Sequence, residues 1–259
     1  MTKPTCTLHL ASCFDVLSTL PDASVDLVVT DPPFGTTNLG FDKAARKDKI
    51  DWPAWWAEIH RVTTPQAIIC SFAAQPFTTD LINANRKFFR YSLVWHKTNP
   101  VGFLSANQRP LRAHEDILVF CRRFGRLRQG QQMVMQSVYN PQFSEGTPYT
   151  HHYRAAKATH YSATRALPSF RNEGRRHPTS VLTYGRDRPS RHPTAKPQEL
   201  CRFLIRSFSH AGQTVLDPFC GGGSTVAAAL LEGRNVIGVE MDPVHFATTQ
   251  GRAEDILQR

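Results

Sequence analysis

Val215-Leu216-Asp217-Pro218-Phe219-Cys220-Gly221-Gly222-Gly223-Ser224-Thr225 reads as a short apolar strand, three consecutive glycines and the start of a helix that continues from Val226 to Leu231. A strand that enters a helix through glycines brings bare main chain up to a ligand, and the helix N-terminus presents unpaired N–H groups suited to an anion. A phosphate loop would need Gly-x-x-x-x-Gly-Lys-Ser/Thr, and no lysine stands here; the dinucleotide pattern Gly-x-Gly-x-x-Gly does not fit either. Downstream, Asn235 to Val239 is a second apolar run, ending at Glu240, 23 residues after Asp217. An acid that ends such a strand commonly holds ribose hydroxyls.

Near the N-terminus, Val25 to Val29 leads into Thr30-Asp31-Pro32-Pro33-Phe34-Gly35. The two proline rings fix their own φ, and Pro33 restricts the residue before it, so the carbonyls around Asp31 are held in defined directions. A carboxylate plus fixed carbonyls can accept the hydrogens of an amino group, and Phe34 can stack on the flat ring that carries it. Asp-Pro-Pro is also an ordinary way to leave a strand. The second run, at Asp217, shifts the balance towards a site.

Strand-like runs occur near 7–10, 25–29, 67–72, 91–95, 117–121, 215–216 and 236–239, with helical patterns over 52–61, 76–85, 198–207, 224–231 and 243–256. This alternation predicts an α/β fold, a mostly parallel sheet with helices on both faces. Charge is unevenly placed. The chain carries 31 Lys+Arg against 21 Asp+Glu, and the whole excess falls in residues 122–191, with twelve arginines and Lys157 against Glu145, Glu173 and Asp187. Those residues lack a long apolar period and read as a loop-rich basic insert. Aromatic residues are interleaved with its cations, among them Arg154, Lys157, Arg165, Arg171, Arg175 and Arg176, as expected of a nucleic-acid surface. The scattered cysteines include no Cys-x-x-Cys pair and read as buried thiols; the histidines lack companion ligands at recognised spacings, so no metal is expected. No signal peptide or long apolar span is read at either end, and a soluble cytoplasmic protein with no membrane partner is the expectation.

Five segments in order carry a family resemblance: Leu20 to Leu27 leading into Asp31-Pro32-Pro33-Phe34; Ser92 to Lys97; His114 to Phe120; His192-Pro193-Thr194-Ala195-Lys196-Pro197; and Asp217 to Thr225 with Glu240. Together they resemble the S-adenosylmethionine-dependent amino-group DNA methyltransferases of the permuted class, in which the catalytic motif precedes the cofactor motif. The resemblance implies a Rossmann-like methyltransferase domain formed by 1–121 and 192–259, with 122–191 as target-recognition insert. It implies double-stranded DNA as substrate, a flipped-out base, and transfer to N6 of adenine, with N4 of cytosine as the alternative and a catalytically silent DNA-binding module as a third reading. It gives Asp31, Pro32, Pro33 and Phe34 the catalytic role. S-adenosylmethionine would lie on Asp217, Phe219, Cys220, Gly221, Gly223 and Ser224, with Glu240 on the ribose and Thr194 and Lys196 over the methionine end. Two positions depart from the family pattern: Phe34 stands where tyrosine is usual, and Ser12 where an aspartate usually meets the adenine. The family also implies a prokaryotic or phage origin and leaves a homodimer and a cognate restriction nuclease open.

Overall fold

The apolar run at Val25–Thr30 is buried almost throughout, as a strand covered by helices on both faces must be, and it occupies the middle of an eight-stranded sheet. The structure, a computed structural model, describes residues 3–35, 50–124, 137–152, 169–187 and 195–258. In chain order its elements are β1 (Cys6–Leu10), α1 (Cys13–Thr19), β2 (Val25–Thr30), α2 (Trp52–Val62), β3 (Thr63–Ala73), α3 (Phe77–Ala84), β4 (Phe89–Val101), β5 (Arg112–Cys121), β6 (Ser144–Glu145), β7 (Tyr149–His151), β8 (Phe170–Asn172), β9 (Arg175–Arg176), β10 (Val181–Tyr184), α4 (Gln198–Phe208), β11 (Thr214–Asp217), α5 (Ser224–Leu231), β12 (Asn235–Glu240) and α6 (Pro243–Leu257).

The main sheet has the order β1-β12-β11-β2-β3-β5-β4-β10. Every neighbouring pair is parallel except those made by β5, which runs antiparallel to both β3 and β4. The mostly parallel α/β fold expected from the sequence is therefore present, and β5 is the exception because it follows β4 as a hairpin without a crossover helix. β2 and β11 are neighbours although they lie nearly 190 residues apart, with Leu216 paired to Val28. The strand order reverses between them, the place where open α/β sheets bind ligands beyond their carboxyl ends.

Two apolar layers cover the sheet. One packs Leu200 and Leu204 of α4 and Val226 of α5 against Leu27, Val29 and Val215. The other packs Trp55, Trp56 and Ile59 of α2 with Phe77 of α3 against Val28, Ile69 and Leu118. Local signals explain the helix starts: Asp51 caps α2 by accepting the Ala54 N–H at 3.0 Å, and Asp242 caps α6 through Val244 and His245. Cys13, Cys70, Cys121, Cys201 and Cys220 are buried and pack as small apolar groups. Among the described residues no helix is long and apolar enough to cross a membrane.

Residues 141–179 form a second compact unit. Its described residues include two short antiparallel ladders, β6 with β9 and β7 with β8. This unit is narrower than the insert expected at 122–191, because Val181–Tyr184 joins the main sheet beside β4. That strand is four residues long, too short for an alternating pattern to declare itself.

Gly238 of β12 lets the sheet and helix close on one another: a Cβ there would meet Leu8 Cδ2 at 2.8 Å and Val226 Cγ2 at 3.0 Å. Gly238→Val should lower stability by about 1–3 kcal/mol through overpacking, measured by urea unfolding.

Candidate active site

Asp31 lies one residue beyond the end of β2, and its side chain keeps 27% of its exposure. Its Oδ2 receives the Lys196 ammonium at 2.5 Å. The same ammonium stands 3.3 Å from Oε2 of Glu115, whose Oε1 takes Lys97 Nζ at 2.6 Å. Lys97 lies on β4 diagonally across from Glu115 of β5, whose directly opposite residue is Trp95, and Arg112 adds a longer contact to Glu115 at 3.8 Å. Four side chains from four segments thus form a buried series of alternating charge, Lys97, Glu115, Lys196 and Asp31. Burial pushes Glu115 up, but Lys196 and Lys97 outweigh it and hold the carboxyl below its usual range. Burial would lower Lys196, and Asp31 and Glu115 reverse this, so its pKa is raised. Asp31 remains pushed up to about 6, chiefly by burial, with Lys196 pulling it back and Glu115 adding to the rise. Its Oδ1 is buried and has no hydrogen-bond partner among the described residues. Phe34 stacks on Phe77 with centroids 5.3 Å apart, and Lys196 Nζ lies 5.5 Å from its ring centre.

The glycine loop follows β11. Asp217 is buried, its Oδ1 accepts the Phe219 N–H at 3.2 Å, and burial lifts its pKa to about 7. Glu240 ties the loop to the next strand end: Oε2 accepts the Gly221 N–H and Oε1 the Asp242 N–H, both at 2.8 Å. Gly223 has φ +76° and a Cβ there would lie 2.7 Å from Thr249 Oγ1, so both backbone and packing require glycine. Thr249 and Arg252 of α6 donate to the carbonyls of Gly221 and Gly222 at 2.6 Å, fixing the loop from behind. Around the Cβ position of Gly221 nothing lies within 4 Å, and α5 begins at Gly223 without a side-chain cap. Approachable main chain, uncapped helix N–H groups and two strand-end carboxylates suit a ligand that carries a carboxylate, an ammonium and hydroxyls, as S-adenosylmethionine does.

The DNA methylase family, which comprises N6 and N4 methyltransferases, matches residues 25–250. The chain belongs to this family. S-adenosylmethionine is its methyl donor and DNA its substrate. A relative in Escherichia coli (strain K12), the methylase YubD, is 29% identical over 240 residues, covering 88% of this chain and 82% of the relative. Among solved structures, the complex of M1.HpyAVI with S-adenosylmethionine superposes with a TM-score of 0.59 at 20% identity, covering 96% of this chain and 100% of the other. The cytosine-N4-specific PvuII DNA methyltransferase gives 0.66 at 16% identity, covering 100% of this chain and 93% of the other. The last two likenesses speak to the fold.

In this DNA methyltransferase the residues singled out in the sequence fall in different environments. Asp31, Pro32, Pro33 and Phe34 directly follow β2, on the sheet edge that also carries Asp217 and Glu240. Lys196, expected over the methionine end of the cofactor, brings its ammonium to Asp31 and Glu115. Phe219 turns its ring onto Trp55, centroids 6.2 Å apart, and Cys220 is buried, so this part of the loop can offer main chain. Ser12 caps α1, its Oγ accepting the Phe14 N–H at 3.3 Å. Thr194, Arg154, Lys157 and Arg165 lie outside the described residues. Lys97, Glu115 and Phe77 were not singled out. The segments 92–97 and 114–120 were noticed as motifs, yet only strand pairing shows that Lys97 and Glu115 meet.

Lys196→Met should raise the Asp31 pKa further, moving the acid limb of the kcat profile to higher pH and leaving KM for S-adenosylmethionine unchanged. Lys196→Arg should move the limb back. A raised KM with an unmoved limb would return Lys196 to the cofactor.

Proposed function

We propose that this chain methylates the N6 amino group of adenine in double-stranded DNA. The observation that supports it most is the state of the Asp31 carboxylate, one oxygen anchored by Lys196 and the other an acceptor without a partner among the described residues. A buried acceptor left unpaired costs about 1–3 kcal/mol. An exocyclic amine supplies the missing donor, and the Pro32 carbonyl is the acceptor for its second hydrogen. When bound, S-adenosylmethionine supplies an electrophilic methyl group. A base inside the duplex cannot reach that group and must be flipped into the pocket. One face of Phe34 is taken by Phe77, so the base stacks on the other. The protein's main contribution is position, since holding two reactants in line can lower a barrier by several kcal/mol. Asp31 need not be a strong base, because the amine becomes acidic only once it is methylated.

N4 of cytosine presents the same two hydrogens to the same grip and is the second reading. Aspartate rather than serine at position 31 favours adenine by family resemblance. Incubation with labelled S-adenosylmethionine and mixed-sequence duplex DNA, followed by digestion to nucleosides, separates the two. Label in N6-methyl-2′-deoxyadenosine is expected; label in N4-methyl-2′-deoxycytidine would replace the reading. The rate should fall as pH drops through about 6, where Asp31 gains a proton, and Asp31→Ala should abolish transfer while DNA affinity persists.

The basic unit 141–179 is proposed as a DNA surface, with unequal parts for its arginines. Arg176 is used internally: it donates to Asn172 Oδ1 at 2.5 Å and to the Thr147 carbonyl, and lies over the Tyr149 ring at 4.7 Å. Arg175 stands 3.9 Å over Phe143. Arg171 is 70% exposed and pairs with the equally exposed Glu173 at 3.0 Å, an arrangement that holds it weakly. Arg171→Ala should reduce the salt slope of DNA binding by about 1. Arg176→Ala should instead speed amide exchange in β7 and β8.

A further inference from the structure

Phe103 is 81% exposed and Leu104 99% exposed. They form, with Ser105, a single helical turn at the tip of the β4–β5 hairpin, entered through Gly102 at φ +96°. Large apolar side chains bared to this extent on adjacent residues are not explained by the hairpin's own packing. Strand register places the tip. Thr30 of β2 is level with Ser71, Ser71 with Leu118, and Leu118 with Ser92. β5 reaches that level only at Leu118, having left the tip at Arg112, and β4 runs past it in the direction of β2. Six residues of β5 at about 3.3 Å each put the end of the ladder roughly 20 Å past the strand end that carries Asp31. That exceeds the depth of either groove of B-DNA, about 8.5 and 7.5 Å. From His96 to His114 the sequence holds Lys97, Arg109 and Arg112 and no acidic residue. Arg109 is exposed, as is Arg112, and Leu111 is 42% exposed beside them.

We propose that the β4–β5 tip is a wedge for double-stranded DNA: Phe103 and Leu104 enter the base stack while Arg109 and Arg112 meet the flanking phosphates, opening the duplex beside the base that turns towards Asp31. The inference rests on the amino-methyl-transfer reading. Apolar side chains inserted between base steps unstack and kink a duplex, and a base must leave the stack before its amine can be reached. The positive tip is complementary to the phosphate backbone, and it stands on the edge of the sheet where the reacting carboxylate lies. It is separate in sequence from the basic unit 141–179, so it adds an opening function to the positioning that phosphate contacts supply.

The test compares wild type with the double variant Phe103→Ala, Leu104→Ala, whose exposed positions carry no packing that folding needs. The substrates are a duplex bearing the methylation site mapped with the wild-type protein, and the same duplex with an abasic nucleotide opposite the target base. Removal of the wedge should lower kcat/KM on the paired duplex roughly ten- to a hundredfold, and by less than about threefold on the abasic duplex, where opening is already done. Equal losses on both substrates, or no loss on either, overturn the proposal. So does a wild-type dimer that the double variant dissolves while both duplexes are methylated as before, since the tip then serves a second copy of the chain. A further readout does not depend on methyl transfer: indole emission of Phe103→Trp should be quenched by mixed-sequence duplex DNA relative to the wild-type protein, and no quenching overturns insertion. Quenching alongside a wild-type protein that methylates no DNA would keep the wedge and sink the methyl-transfer reading.

Discussion

The ammonium of Lys196 lies between the carboxylates of Asp31 and Glu115, and the rest of the site depends on that position. Taking an ion out of water costs several kcal/mol, which is recovered only when opposite charges and hydrogen bonds surround it. Here the charges alternate from Lys97 through Glu115 and Lys196 to Asp31, so each buried ion has an opposite neighbour. The series also crosses the chain. Lys97 and Glu115 come from the β4–β5 hairpin, Asp31 from the end of β2 and Lys196 from the approach to α4, so correct assembly of the sheet is what brings the charges into register. The aromatic walls of Phe34, Phe72 and Trp95 lie within 6.0 Å of the Lys196 ammonium and add cation–π attraction while excluding water.

This arrangement has a cost that is visible in the carboxylates. Asp31 and Asp217 titrate near 6 and near 7, above the ordinary value for aspartate. Between about pH 4 and those values the folded chain binds protons that the unfolded chain has released, so their ionisation removes stability as pH rises through this window. Asp31 also adds to the rise at Asp217, because the neighbouring strands β2 and β11 end side by side. A fold under no demand but stability would place neutral groups there; unfavourable burial of charge at a strand-end cleft is the usual mark of a working site.

Much of the fold was legible because its elements are long and locally consistent. The apolar runs of β2, β3, β5 and β12 and the helical patterns of α2, α4, α5 and α6 each carry their own signal, and capping aspartates or prolines mark where helices begin. Two short pieces were not legible. α1 spans seven residues and is held by the Ser12 cap, while β10 spans four and owes its place to a partner strand almost ninety residues away. The site divides in the same way. Asp31, Asp217 and Glu240 stand out because proline, glycine and an apolar strand flank them. Lys196 stood out too, but a sequence carries no distances, and its nearest partner is 165 residues away. Glu115 sits in a motif segment with nothing in sequence to mark its partners: the antiparallel register sets it opposite Trp95 and so within reach of Lys97 two residues on, and the approach to α4 brings Lys196.

The anchored state of Asp31 bears on the chemistry proposed for it. A free carboxylate could turn either oxygen to an amine and could take both of its hydrogens; with Oδ2 held at 2.5 Å by Lys196, Oδ1 is the oxygen left for one hydrogen. The second hydrogen then has to go to a fixed carbonyl, and the two prolines that follow Asp31 hold the main chain still enough to provide one. Two acceptors in fixed directions orient the nitrogen lone pair as well as bind the group, whereas a rotating carboxylate would only bind it. The same ion pair tempers basicity, because the proton that Asp31 would gain competes with an ammonium already in place. On the proposed reading, Asp31 is therefore a rigid acceptor first and a proton acceptor only after the methyl group has arrived, when the amine has become acidic enough to give its proton up.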